Sequence, residues 1–437
     1  MRILFLISVL TLTSAISAGG DSWPGFRGPT GDGRSDAVDL PRFWNEKDNS
    51  NILWKTKIHG KAWSSPVVLG DRVWVTTADE LLSEQIPPTK AKGGAPANPV
   101  NEVTFFAVCV DRASGKIVHD INLGSVKNPD YCHPFNSYAS STPFIEPGRL
   151  YAHFGSNGTW CVDTNTGKTL WERRDFKCNH FRGAASSPVV FGGLLYLIFD
   201  GSDLQYVAAL DKITGKTVWK TDREIKYSSD NGDFKKAYAT PALFEIGGRP
   251  QLICPSAEST LAYDPTTGSE LWRINHGGMN GSARPVMGNN LLYLTSGHTG
   301  RLLAVKPIGT GILPKEAIAW QAAKGVPTRP SLLLDGELIY MVSDNGIASC
   351  LDAVTGQVYW SERLDGEYSA SPILAGKYLY CCNQIGKTYV LATGKSFEII
   401  AENRVDDGFM ASPAVAGNNL FLRTRTHLYC VASRKQE

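Results

Sequence analysis

Asp163-Thr164-Asn165-Thr166-Gly167-Lys168-Thr169-Leu170-Trp171 returns further along the chain as Asp211-Lys212-Ile213-Thr214-Gly215-Lys216-Thr217-Val218-Trp219. Asp264, Gly268 and Trp272 keep the same frame, and so do Asp352, Gly356 and Trp360. Asp111, Gly115 and His119 form a degraded copy. An aspartate at this place can bond the turn's own amides, and a glycine can adopt positive φ. The tryptophan opens the next strand and brings a large ring to bury. This set of residues is read as structural: a turn followed by a docking ring.

Working outward from these turns, a second mark recurs. A small-residue segment ending in proline appears at Ser64-Ser65-Pro66, Ser141-Thr142-Pro143, Ser186-Ser187-Pro188, Ala239-Thr240-Pro241, Ala283-Arg284-Pro285, Thr328-Arg329-Pro330, Ala370-Ser371-Pro372 and Ala411-Ser412-Pro413. From Pro143 onward the intervals are 45, 53, 44, 45, 42 and 41 residues. Such spacing is the period of a four-stranded propeller blade. Between the two marks lie strongly apolar strands such as Leu194-Leu195-Tyr196-Leu197 and Leu338-Ile339-Tyr340. Strands apolar on both faces require a layer on each side, which neighbouring blades provide.

The eighth repeat runs out after His427–Val431 without an outer strand. Ile52-Leu53-Trp54-Lys55-Thr56 matches the missing piece, with Trp54 in the docking position. The expectation is therefore an all-β chain: an eight-bladed β-propeller of four-stranded antiparallel blades, closed by an N-terminal strand. Closure of this kind removes exposed sheet edges.

The organisation expected is residues 1–18 as a signal peptide, 19–50 as an irregular extension and 51–437 as the propeller. Arg2, a short apolar run to Leu12 and small residues to Ala18 read as a cleaved secretory signal. They imply a periplasmic or secreted protein. No later run is apolar enough for a membrane helix. Lysine and arginine number 44 against 42 aspartate and glutamate, which argues against a nucleic-acid partner. The stretch from Glu80 to Asn101, rich in Pro, Gly and Lys, reads as a flexible surface loop.

The repeats Asp-x-x-Thr-Gly-Lys-x-x-Trp resemble the tryptophan-docking repeats of pyrroloquinoline-quinone (PQQ) dependent alcohol dehydrogenases. They equally resemble the propeller of the bacterial outer-membrane assembly lipoprotein, which binds no quinone. Trp23-Pro24-Gly25-Phe26-Arg27-Gly28-Pro29 is similar to the opening segment of secreted PQQ-like propellers. The dehydrogenase resemblance implies PQQ, calcium and a disulfide between adjacent cysteines. Cys381-Cys382 sits in an apolar strand, where successive side chains point to opposite faces, so two buried thiols are expected instead. Glu258 and Asp200 are acidic candidates for calcium, without alignment to the dehydrogenase ligand set.

Strand order places the incoming connections of all blades around one channel mouth. His133, His180, Arg182, Tyr238, Arg284 and Arg329 are the candidate ligand-binding residues there. Arg284 and Arg329 suit a bidentate clamp on a carboxylate or phosphate. The competing reading is internal ion pairing, with Asp200, Asp344 or Asp407 as partners. Cys132 and Cys178 take matched positions on adjacent blades, and three readings stay open: a disulfide, unpaired structural thiols, or a Cys/His metal site. Nine cysteines leave at least one unpaired. No Gly-x-Ser-x-Gly elbow, His-Glu-x-x-His helix or phosphate-binding loop is present. No catalytic or metal residue is assigned. The function expected is a non-catalytic binding or scaffold module for a protein, a polymer or a small anionic ligand, without cofactor. The alternative is a PQQ- and calcium-dependent dehydrogenase.

Overall fold

A computed structural model describes residues 20–83 and 98–433. The leader reading of residues 1–18 lies outside them. Eight antiparallel sheets follow one another along the chain, each with four propeller strands. In blade 3, for example, Val189–Phe191, Leu194–Asp200, Gln205–Asp211 and Thr217–Asp222 pair in sequence order from the axis outward. The second and third strands are almost wholly buried, because blades stack on both of their faces.

The eighth blade closes as expected. Ala414–Ala416, Asn419–Arg423 and His427–Val431 receive Ile52–Lys57 as their outer strand, with Trp54 opposite Cys430 and Thr56 opposite Leu428. The Trp54 ring lies over Gly115, and its indole N–H donates to the Arg112 carbonyl at 2.9 Å. Trp171 over Gly215, Trp219 over Gly268 and Trp320 over Gly356 repeat this at other seams. Asp163 supplies the turn: its Oδ1 accepts from the amides of Asn165 and Thr166 at 2.9 and 2.8 Å. Trp272 departs from the pattern. Its indole bonds Gln251 within its own blade, and Gly311–Ile312 lies beside its strand as an added fifth strand.

A ring of hydrogen bonds ties the blades at the axis. The amide of Ser65 donates to Thr142 Oγ1, that of Thr142 to Ser187 Oγ, and that of Ser187 to Thr240 Oγ1. Arg284 donates to Ser331 Oγ, Ser331 to Ser371, Ser371 to Ser412, and Ser412 back to Ser65. Thr240 faces a residue without a hydroxyl, and there Arg284 Nε donates to the Pro241 carbonyl at 3.0 Å. The ring corrects one assignment. In blade 6 the ring residue is Ser331, not Arg329, so the repeat there is displaced by two residues and Arg329 belongs to the connection before it.

Two further expectations change. Glu80–Leu82 and Val100–Asn101 are not loop: they extend the second and third strands of blade 1, which pair from Arg72–Asp111 out to Leu82–Val100. The N-terminal extension is also more than an irregular lead-in. Ser22–Trp23 pairs antiparallel with the inner strand of blade 1, and Arg34–Ser35 pairs parallel with that of blade 7. The chain thus enters the axial channel, turns at Phe26–Asp32 and leaves again. Arg27 reaches the carbonyls of Pro372, Leu332 and Asp32, and Arg284 donates to the Phe26 carbonyl at 2.8 Å. Gly31 and Gly33 lie flat on the guanidinium groups of Arg284 and Arg27, where any Cβ would collide. The glycines of this segment are therefore explained by the plug that it forms.

A funnel at the channel mouth

The incoming connections surround a cavity of about 700 Å³. Its floor includes Phe26 at the tip of the plug, bordered by hydroxyls of the axial ring. Trp63, Phe135, Tyr238, Met279 and Met410 give it apolar walls, with His133, Asn136, Asn280 and His298 between them. Apolar walls with a few converging polar groups are the usual make-up of a ligand site.

Its charges are engaged with one another. Arg182 makes a two-pronged pair with Asp233 at 2.6 and 2.7 Å. Arg329 pairs with Asp344 and stacks over the Phe135 ring, 4.5 Å from its centroid. The Asp233 carboxyl is held below the usual carboxylate range, since the bond from Arg182 outweighs the cost of partial burial. His133 is lowered by burial and by the neighbouring Arg182 charge.

Phe135 belongs to a strap of chain at the mouth. Lys61 Nζ donates to the Pro134 carbonyl at 3.1 Å, and the Trp63 indole to that of Phe135 at 3.0 Å. Asn136 Nδ2 donates to the carbonyls of Arg182 and Ala184.

The structure brings His133, Arg182, Tyr238 and Arg329 to the funnel wall. It does not bring the other two candidates there. Arg284 is 8% exposed beneath the plug, where burial lowers its pKa to about 10. It cannot form a clamp with Arg329, whose charge Asp344 already holds. The ion-pair reading of Arg329 is the one that the geometry matches. His180 is 6% exposed and faces away from the mouth: its Nε2 accepts from the Ser156 amide at 3.1 Å, and its Nδ1 lies 3.0 Å from Lys236 Nζ.

Cys132 and Cys178 are unbonded. The Cys178 sulfur turns inward to Ser156 and His180, and the thiol is pushed up to about 12 by burial. The Cys132 sulfur instead faces Gly183. Matched sequence offsets put the two on neighbouring connections, but their side chains take different directions. Among the described residues no group of three or more His, Cys, Asp or Glu is placed to hold a metal ion. Cys381 and Cys382 are buried free thiols that enter two different hydrophobic clusters. Cys109, Cys161, Cys350 and Cys430 share one structural post, each opposite the docking residue of its blade: His119, Trp171, Trp360 and Trp54.

Sequence reasoning missed Trp63, Phe135, Asp233 and Phe26. Trp63 and Phe135 adjoin the proline-marked connections, a signal that was available. Nothing local announces Phe26, which reaches the site through the channel.

A family model described as outer membrane protein assembly factor BamB matches residues 106–243, 207–362 and 313–395. An outer membrane protein assembly factor BamB of Legionella pneumophila (strain Paris) is 22% identical over 244 residues, covering 55% of this chain and 48% of that protein. A tetrathionate hydrolase of Acidithiobacillus ferrooxidans is 23% identical over 359 residues, covering 76% of this chain and 65% of that protein. The chain thus spans less than two thirds of the length of either relative. Among solved structures, a europium-containing methanol dehydrogenase superposes with a TM-score of 0.64 at 11% identity, over 93% of this chain and 90% of that one. That likeness shows the fold alone.

Proposed function

The chain belongs to the BamB family of outer membrane protein assembly factors, and from that premise we propose that it is an exported, non-catalytic binding module of the cell envelope. Its ligand is received by the funnel, and the ligand is a peptide segment of a protein partner. One observation carries this reading. The funnel combines a wall of Trp63, Phe135, Tyr238 and two methionines with charges already paired as Arg182–Asp233 and Arg329–Asp344. Paired charges with flanking aromatics accept an extended chain whose own charges balance, whereas a small anion would have to displace a carboxylate. The buried Arg284 therefore removes the main support for an anionic ligand.

The rival reading, a dehydrogenase with PQQ and calcium, asks for free oxygen ligands. Asp200 is bonded by Arg223 and Ser256, Glu258 by Ser228, and the funnel carboxylates by their arginines. With their oxygens engaged in this way, these carboxylates do not fit a calcium cradle.

The test is selection of peptides from a random display library on the wild-type protein. A Trp63→Ala, Tyr238→Ala double variant should lose the selected peptides at least tenfold. Equal affinity in the folded variant would move the site elsewhere. In parallel, protein mixed with PQQ and calcium should emerge from gel filtration without quinone absorbance. Co-elution at one quinone per chain would replace this reading by the dehydrogenase.

A further inference from the structure

Behind the funnel wall lies an amine that the binding reading does not use. Lys236 is 2% exposed. Its Nζ donates to the Asp200 carbonyl at 2.8 Å and lies 3.0 Å from His180 Nδ1. The protons on His180 can be assigned from its bonds. The Ser156 amide donates to Nε2, so Nε2 carries a lone pair. A neutral imidazole then bears its hydrogen on Nδ1. That hydrogen points at Lys236 Nζ and needs an acceptor, which an ammonium cannot be. The Cys178 sulfur lies nearly equally far from Nδ1 and Nε2, at 3.7 and 3.5 Å, and so stands off the Nδ1–H axis; the acceptor on that axis is Nζ, which accepts only as an uncharged amine.

Charge balance leads to the same state independently. The nearest carboxylate, Asp200, is already neutralised by the fully buried Arg223 at 2.8 Å. The other groups around Nζ are Cys178, whose thiol is pushed up by burial, His153 and His180, both lowered by burial, and the Tyr238 phenol, raised by burial. None supplies a negative charge, and an unpaired buried ammonium is strongly disfavoured. Burial correspondingly lowers the Lys236 pKa.

We propose that Lys236 is an uncharged nucleophilic amine that captures small carbonyl compounds entering through the funnel. The Tyr238 ring lines the funnel and its centroid lies 4.9 Å from Nζ, so this ring is the gate between the two. In the reaction the Nζ lone pair attacks the carbonyl carbon. The carbinolamine then loses water, which takes both amine hydrogens and the carbonyl oxygen, and C=N replaces C=O. No electrons are exchanged. The imine is neutral, which the site tolerates; a carbamate from carbon dioxide would bury a new anion. Aldehydes and small ketones are therefore the class selected. The inference goes beyond the peptide-binding reading and does not depend on it.

The test is reductive ethylation of the folded protein with acetaldehyde and cyanoborohydride, mapped by peptide mass spectrometry in wild type and Tyr238→Ala. An ordinary solvated lysine amine loses its uncharged form about tenfold for each pH unit below its pKa. The ratio of Lys236 to surface labelling should therefore rise about tenfold from pH 8 to pH 7, and Tyr238→Ala should label faster than wild type. A flat ratio, or no label on Lys236 in Tyr238→Ala beside labelled surface lysines, overturns the proposal. A second measurement needs neither access nor that variant. If Nζ is uncharged in the folded state over this range while the unfolded lysine titrates at about 10.4, the unfolded state binds about one more proton between pH 8 and pH 9. Wild-type folding constants should then gain about tenfold per pH unit relative to Lys236→Met. Equal slopes would show a charged lysine and refute the assignment.

Discussion

Gly115 and Gly70 are both turn glycines of blade 1 with left-handed backbone, at φ +73° and +59°. An alanine at either carries the same backbone strain, about 1–2 kcal/mol. They differ in what the new methyl meets. At Gly70 nothing lies within 4 Å, whereas at Gly115 the Cβ would stand 2.6 Å from Trp54 Cγ and 2.7 Å from Cδ2. The indole cannot retreat easily, because its N–H holds the Arg112 carbonyl and the Thr56 hydroxyl bonds the Gly115 carbonyl. Overpacking of this kind costs about 1–3 kcal/mol. Gly70→Ala should therefore lose about 1–2 kcal/mol and Gly115→Ala about 2–5 kcal/mol. The excess must disappear when both are repeated in a Trp54→Ala background, itself about 3–5 kcal/mol less stable. Urea unfolding followed by circular dichroism gives all the values, provided the slopes agree. Equal losses for the two alanines, or an excess that survives Trp54→Ala, would show that this ring does not secure the closing seam.

Other consequences follow from the buried groups. Arg27 is 2% exposed and its bonds hold three carbonyls, so Arg27→Met should lose about 2–4 kcal/mol and release the plug, read as protease cutting within residues 20–35. Uncut plug in the folded variant would mean that the glycine contacts suffice without the guanidinium. His153 is lowered to about 3, by burial first, so its contribution is complete above pH 6.5 and is lost as pH falls from 6.5 toward 3. His153→Gln should flatten that slope of stability by about one proton; an unchanged slope would place the acid sensitivity elsewhere. In guanidinium without reductant, Ellman's reagent should find nine thiols. Seven would restore a disulfide, with Cys132 and Cys178 the first pair to examine.

The sequence by itself determined what is local and repeated. An aspartate bonding its own turn, a glycine at positive φ and a tryptophan eight residues on are decided within one hairpin, so blade form and blade number were legible from spacing alone. Trp54 as the closing residue was legible for the same reason, because it filled a vacancy in a pattern. The tertiary structure alone decided relations between blades. Ser331 rather than Arg329 joins the axial ring, because the ring is set by amides reaching hydroxyls on the next blade and not by the neighbouring proline. Arg284 kept its place in the pattern, yet the plug covers it and changes its role from ligand clamp to anchor. His180 lies close in sequence to Arg182, but one side chain enters the interior and the other the funnel. A short-range pattern records which residues share a turn. Which charges are desolvated, and which meet a partner, depends on chain arriving from hundreds of residues away, and no local spacing carries that information.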